Sequence, residues 1–348
     1  MSLVGKFVGL DPNVRKPLDI GLVWEGNYWD DRDVHDCCDV DWETCSVLVD
    51  KIARALHKHH FPMIEKAAER ERVLIFLPRV MQLPLSILAA FRVGHTTILM
   101  DPLTTEMSHL EAVVAAEKPR VLITVDAFWQ AQTLIDLKRN IERIAQIDDT
   151  TQLIVIRHVA PNPGVPPPRK HIPARRPSYR TSLDLRDGKD VEWAQLISEV
   201  GRESAETTEN EWLDDEVLVV FPVENGKSIN VSKSQLLAAL ETRKTGLAAK
   251  FAQVDGAVEN VLVLDAPRDL ETLTNFLIPW FMGKTMTLYE GPLDYPDSSR
   301  LTQIISKHSA NCVLGVGSNY SIPNPEYLKF FPTPTLKIAE IPNFPISL

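Results

Sequence analysis

The chain has 348 residues, of which 44% are hydrophobic and 24% charged, with a formal net charge of -10. That length allows two or three domains with a substantial core, and the balance is that of an ordinary globular chain, neither disordered nor membrane-embedded. The acidic excess excludes a general nucleic-acid binder, and the apolar runs are broken by Pro78, Arg79 and Pro84, well short of the roughly twenty residues a membrane span needs.

In chain order, Leu18–Trp24 reads as a first strand, and residues Cys45–His57 place Val47, Leu48, Ile52, Ala55 and Leu56 at helical spacing. Val73–Leu77 is a buried strand ended by Pro78, and Leu83–Val93 a helix ended by Gly94. Thr97–Met100 is a strand, Glu106–Ala116 a helix stopped before Pro119, and Arg120–Val125 another strand. The spacing predicts one long helix over Phe128–Ile147, then a strand at Gln152–Arg157. Strand and helix alternating in this way indicate a parallel sheet covered on both faces.

From Ala160 to Pro177 the composition turns to proline and basic residues, with Arg169, Lys170, His171, Arg175 and Arg176, and reads as a solvated loop. Trp193–Val200 is a short helix, followed by an acidic stretch from Glu203 to Glu216. Residues 217–240 read as a buried strand, a turn and a helix start. Helices are expected at Ser234–Ala252, Leu270–Phe281 and Ser299–His308, with strands at Asn260–Leu264, Met286–Tyr289 and Cys312–Val316 between them. The last thirty residues hold six prolines, and the expectation is a tail without a clear element that wraps over a surface.

Cysteines at 37, 38, 45 and 312 do not make a disulfide framework and fit reduced thiols in an intracellular compartment. His35, Cys37, Cys38 and Cys45 are close in sequence but lack a C-x-x-C pair and a second ligand cluster, so no metal site is assigned. The His57-Lys58-His59-His60 run suits a cationic helix end. Trp24, Trp29 and Trp42 are expected to anchor packing, and no G-x-S-x-G nucleophile elbow occurs. The amino terminus shows neither a secretory signal nor a transit-peptide pattern, which leaves cytosol or an organelle, the mitochondrion included.

A phosphate cradle needs glycines and small hydroxyl residues, whose backbone N–H groups approach the anion unobstructed. After the strand at 217–221 only Asn225-Gly226-Lys227 offers anything similar. Pro222 has no N–H to give, and Glu224 places a negative charge beside any phosphate.

The strings LVWEGN at 22–27, RVLIFLPRVMQLPLSILAAFRVGH at 72–95, VLITVDAFW at 121–129, LIDLKRNIERI at 134–144, DGKDVEWAQLI at 187–197 and TLYEGPLDYPDSSRLTQIISKH at 287–308 follow one another in a familiar order. In their order the chain resembles the amino-terminal half of the AMP-forming acyl-CoA synthetases, closest to acetyl-CoA synthetases. The resemblance implies an α/β fold of two sequential subdomains with mostly parallel, twisted sheets. It divides the chain into an extension at 1–19, a first subdomain at 20–205 that includes the 160–177 loop, a partial second subdomain at 206–318 and a tail at 319–348.

It also implies chemistry that joins a carboxylate to AMP and passes the acyl group to CoA. The family's phosphate loop, TSGSTGKPKG, corresponds here to PVENGKSIN, one residue shorter, with only Gly226 and Lys227 kept. Gln130 and Thr133 stand where the family segment DxGxRGGKxIxLK carries cations near CoA. The acyl-pocket stretch DIGWVTGHSY aligns with Asp265–Thr274 and keeps its first aspartate. The later nucleotide-binding segments, the hinge and the mobile domain have no counterpart up to residue 348. The resemblance therefore implies vestigial cofactor-binding positions at Gly226, Lys227 and Asp265, no catalytic residue, and no cofactor. The expected role is that of a pseudoenzyme, a structural or interaction subunit that meets other proteins through the surface left by the missing half and through segments 160–177 and 319–348. The alternative is an acetate-CoA ligase subunit, or a protein with residual acyl-CoA or AMP binding, for which the cofactors are ATP or AMP and CoA.

Overall fold

A computed structural model describes residues 2–26, 37–60, 70–144, 151–160, 183–200, 212–223, 226–295, 297–315 and 329–341. The 161–177 part of the Pro/Arg-rich loop, Trp29, His35 and Glu224-Asn225 lie outside them, as do the side chains of Lys58, His59 and His60. Among the described residues no helix is long and apolar enough to cross a membrane.

The fold is α/β. The apolar runs become strands buried on both faces: β3 (Arg72–Phe76), β4 (Thr96–Met100), β5 (Val121–Val125) and β8 (Gln152–Ile156). They form the centre of a seven-stranded sheet with β9 (Asp190–Glu192), β10 (Val217–Val223) and β11 (Lys227–Ser232), in the order β11-β10-β4-β3-β5-β8-β9. A six-stranded sheet combines β1 (Ile20–Glu25), β2 (Cys37–Asp41), β12 (Asn260–Val263), β13 (Thr285–Tyr289), β14 (Cys312–Leu314) and β15 (Ile338–Glu340), in the order β15-β14-β12-β13-β1-β2. In each sheet one edge strand, β11 or β2, pairs antiparallel and all the other pairings are parallel.

The sheets exchange strands across the boundary expected at 205/206. β1 pairs with β13, Leu22 opposite Met286, while β10 pairs with β4, Val219 opposite Thr97.

Helices cover the sheets: α2 (Trp42–His60), α3 (Gln82–Val93), α4 (Met107–Glu117), α6 (Trp193–Glu199), α7 (Lys233–Phe251), α8 (Leu270–Phe281) and α9 (Arg300–His308), with the single turn α1 (Gly5–Val8) at the start and α5 (Leu137–Glu142) in the first half. α3 stops where Gly94 takes the left-handed conformation at φ 87°, as its sequence position predicts. α8 is buried all round from Thr272 to Phe281 and starts at a capping box, in which Asp269 accepts the Thr272 N–H.

Three expectations are corrected. Residues 128–147 are not one helix. Phe128–Gln130 (β6) and Thr133–Ile135 (β7) form a hairpin turned at Ala131, whose φ is +52°, and α5 begins only after Asp136 caps it. The apolar residues that mimic a helical period lie opposite each other instead, Trp129 facing Leu134 and packing with Ala127 and Val159. Between the turn at 226 and α7 the chain adds β11, which the alternation in KSINVS favours over an immediate helix start. The proline-rich tail contributes β15, because Ile338, Ala339 and Glu340 pair in parallel with Cys312, Val313 and Leu314 of β14 despite the flanking prolines.

The amino-terminal segment straps across the end of α8. Arg15 donates to the Lys6, Gly9 and Trp280 carbonyls, and Phe7 stacks on Phe281. Trp280, fully buried, donates its indole N–H to the Gly21 carbonyl at 2.7 Å and packs beside Trp42. Trp42 in turn leaves no room for a side chain at Gly21, where a Cβ would sit 2.8 Å from the indole. Trp280→Ala should lower stability by about 3–5 kcal/mol, read as a shift of the urea midpoint at unchanged slope, through lost packing and an orphaned Gly21 carbonyl.

Candidate functional site

In open α/β sheets, ligands gather at the carboxyl ends of parallel strands, because loops diverge there and side chains from several strands converge. In this chain those ends carry polar residues directly after apolar runs: Glu25 ends β1, Arg79 follows β3, Asp101 β4, Asp126 β5, His158 β8, Asp265 β12 and Glu290 β13. All except His158 are buried to nine-tenths or more.

Arg79 crosses from the seven-stranded sheet to the six-stranded one, its guanidinium donating to the carbonyls of Leu264 and Gly291. Burial lowers its pKa from the ordinary value, against the pull of Asp101, Tyr289, Asp265 and Glu290. His158 crosses in the same direction: its Nε2 lies 2.7 Å from Glu290 Oε1. Its backbone is held by Asp126, whose carboxylate accepts the N–H groups of His158, Val159 and Ala160.

Glu25, with no exposed surface, meets Arg300 at 3.1 Å, Lys307 at 2.6 Å and His308 at 2.9 Å. Burial alone would raise its pKa, but hydrogen bonds from His308 and Lys307 and the nearby charges outweigh it, and the carboxyl ionises below its usual range. Arg300 also donates to the Tyr289 hydroxyl.

Of the three residues assigned from sequence, Gly226 and Lys227 share one hairpin and Asp265 lies apart from them. Gly226 sits in the β10–β11 turn at φ +70°, with nothing within 4 Å of a Cβ built there, so backbone conformation and not close approach demands the glycine. Lys227 is exposed and pairs with Val223 in the hairpin ladder. Asp265 is buried beyond β12 in the other sheet. Gln130 and Thr133 face each other at the tip of the β6–β7 hairpin.

Two cavities flank these segments. One of about 940 Å³ lies between α7 and α8 at the end of β15, lined by Ala238, Thr242, Arg243, Leu270, Asn275 and Ile341 among others. Across it Arg243 donates to Asn275 at 2.8 Å and pairs with Glu340. Burial opposes ionisation of Glu340, yet hydrogen bonds from Arg243 and Lys250 hold its pKa below the usual range. The other cavity, about 440 Å³, is bounded by Asp101, Thr104, Thr105, His109, Pro222 and Arg268. Neither is lined by Gly226, Lys227 or Asp265.

Cys37 and Cys38 lie half-buried on β2 and Cys45 and Cys312 are buried, with both of the latter thiols pushed up to about 12 by burial. Among the described residues no group of three or more His, Cys, Asp or Glu is placed to hold a metal ion.

The sequence reading missed Arg79, the His158–Glu290 pair and the Glu25 cluster. A signal was present: each acidic member is the first charged residue after an apolar strand, and Glu25-Gly26 and Glu290-Gly291 follow an aromatic residue in the same way.

Because the Glu25 pKa is depressed in the folded chain, its contribution to stability is complete above the ordinary value of 4.5 and is lost as pH falls through the lower folded value. Glu25→Gln, which leaves Arg300 and Lys307 facing an amide, should cost about 3–5 kcal/mol at pH 7. That cost should shrink progressively below pH 4.5, as measured by denaturant unfolding across pH.

No family model matches the chain. It is 62% identical over 142 residues to Uncharacterized protein ZK112.6 of Caenorhabditis elegans, a match covering 41% of this chain and 95% of that protein. To the acetyl-coenzyme A synthetase of Methanothrix soehngenii it is 25% identical over 245 residues, 68% of this chain. That match spans 32% of the synthetase, about a third of its length. Among solved structures, acetoacetyl-CoA synthetase from Streptomyces lividans superposes with a TM-score of 0.65 at 16% identity, over 89% of this chain and 41% of that one. The chain is thus related to ZK112.6 over nearly the whole of that protein, and it is similar to part of the length of acetyl-coenzyme A synthetase in sequence and to part of acetoacetyl-CoA synthetase in fold.

Proposed function

We propose that this chain is a non-catalytic, synthetase-like protein that serves as a structural or interaction subunit of a larger assembly. The observation that carries the reading is the β10–β11 hairpin. Its ladder runs from Val217–Ser232 up to Val223–Lys227 and leaves only residues 224–226 for the turn. A phosphate cradle needs several N–H groups pointing at one anion, and here the flanking amides face each other across a regular strand pair. The hydroxyl nearest the turn, Ser228, donates to Glu117 at 2.7 Å, and Pro222 contributes no donor. Gln130 and Thr133, at the tip of a hairpin, bring no positive charge to bind the phosphates of CoA. The free thiols suit a reducing, intracellular compartment.

The cavity between α7 and α8 favours a second reading, in which the chain retains binding of an acyl-CoA or a nucleotide, or acts as an AMP-forming acid-thiol ligase subunit. Its volume falls within the range of small-molecule sites, and its wall combines apolar residues with Arg243, paired to Glu340, and with Glu271.

Pyrophosphate release with ATP, magnesium, acetate and CoA separates the two. The first reading expects no rate above blank, and a clear rate overturns it. Thermal unfolding with ATP, AMP or CoA provides a second measure: retained binding should add about 2.7 kcal/mol of stability at a hundred times the dissociation constant, and the non-catalytic subunit without vestigial binding shows no shift.

A further inference from the structure

We propose that a proton shared by His158 and Glu290 latches the seven-stranded sheet to the six-stranded one, and that the latch loosens as this proton leaves at rising pH. The pair is an ionisable link between the sheets, beside Arg79. His158 follows β8 and Glu290 follows β13, and they meet at 2.7 Å with side chains 10% and 1% exposed.

Both ends are fixed by backbone. Asp126 accepts three successive N–H groups beginning at His158, and the Glu290 N–H donates to the Glu25 carbonyl at 3.0 Å. The Trp24 ring stands edge-on to the imidazole at 5.8 Å and shields it from water.

The surroundings make the proton matter. Glu290 Oε2 is buried with no hydrogen-bond partner among the described residues. An ionised carboxylate in that position is costly unless a full positive charge faces it. The charged groups around the pair are Arg79 from beyond β3, which is drawn to Glu290, and Asp126 after β5, which holds the backbone at His158; Arg157 is the next residue in the chain, and Glu25 meets Glu290 through its backbone carbonyl. Arg157 is occupied by Glu192 at 2.8 Å, and Glu25 by Arg300, Lys307 and His308. Arg79 is drawn on by Asp101 and Asp265 as well as Glu290. With imidazolium at His158 the pair is neutral overall. When the proton passes to solvent, a neutral N–H donor faces a buried negative charge, and Arg79 has three carboxylates to balance. Histidine is the side chain whose ordinary titration falls between pH 5 and 8.

Hydrogen–deuterium exchange at pH 6 and pH 8, corrected for intrinsic rates, tests this on the full chain. Peptides covering 153–160 and 286–293 should open about tenfold or more faster at pH 8, since one proton released on opening changes the equilibrium tenfold per pH unit. Glu290→Gln keeps the shape of the side chain and removes the charge, and should abolish that pH dependence locally. The Glu25–His308 pair, which also contains a histidine, stays intact in this variant and serves as the control. An NMR titration of the His158 ring in the unaltered chain should give the same midpoint as the exchange rates, so the inference survives a variant that does not fold. Exchange that is independent of pH in the unaltered chain, or an undiminished pH dependence in Glu290→Gln, overturns it.

Discussion

The architecture rests on a guanidinium buried between two sheets. Arg79 leaves the end of β3 and satisfies two carbonyls, of Leu264 and Gly291, that belong to the other sheet. A buried cation with polar groups to satisfy tolerates little displacement, so these two hydrogen bonds fix the sheets relative to each other more tightly than apolar contact alone would. Around that point the strand ends present their first charged residues. The His158–Glu290 contact runs the same way across the junction, and the Glu25 cluster anchors α9 beside it. Packing fills the rest, but these polar links decide where one layer stops and the next begins.

Much of this was legible in the amino-acid order. Val73–Leu77 and Val121–Val125 read as buried strands, and Gly94 marks a helix end where the structure has it. Periodicity failed at 128–135, where two short strands placed back to back imitate a helical spacing, and at Lys227–Ser232 and Ile338–Glu340, which are strands because neighbours complete them. Short edge strands take their conformation from their partners. Gly226 was readable as a turn, since a positive φ calls for glycine. Arg79 was not readable as a bridge, because its acceptors lie 185 and 212 residues away and no local pattern encodes them. The same distance hides Glu25, whose cations come from α9.

A scaffold of this family and a particular activity are separable properties. The sheets require apolar strands, capped helices and satisfied junctions, and these are present. Phosphate handling requires donors in one small turn and cations nearby, and the proposed reading is that the β10–β11 hairpin and the Gln130–Thr133 tip do not supply them. The two sets of residues scarcely overlap, so one can be lost while the other stays intact.

The exchange of strands between the sheets also bears on how the chain is made. β1 finds its partner β13 only after some 260 further residues have been synthesised, Leu22 waiting for Met286, while β4 waits for β10. Neither layer can close while the ribosome is still producing the first half, and loop-closure entropy must be met before the distant pairings form. During that interval an unpaired β1 edge is open to the wrong neighbour, a hazard that holdase chaperones counter for nascent chains of this topology.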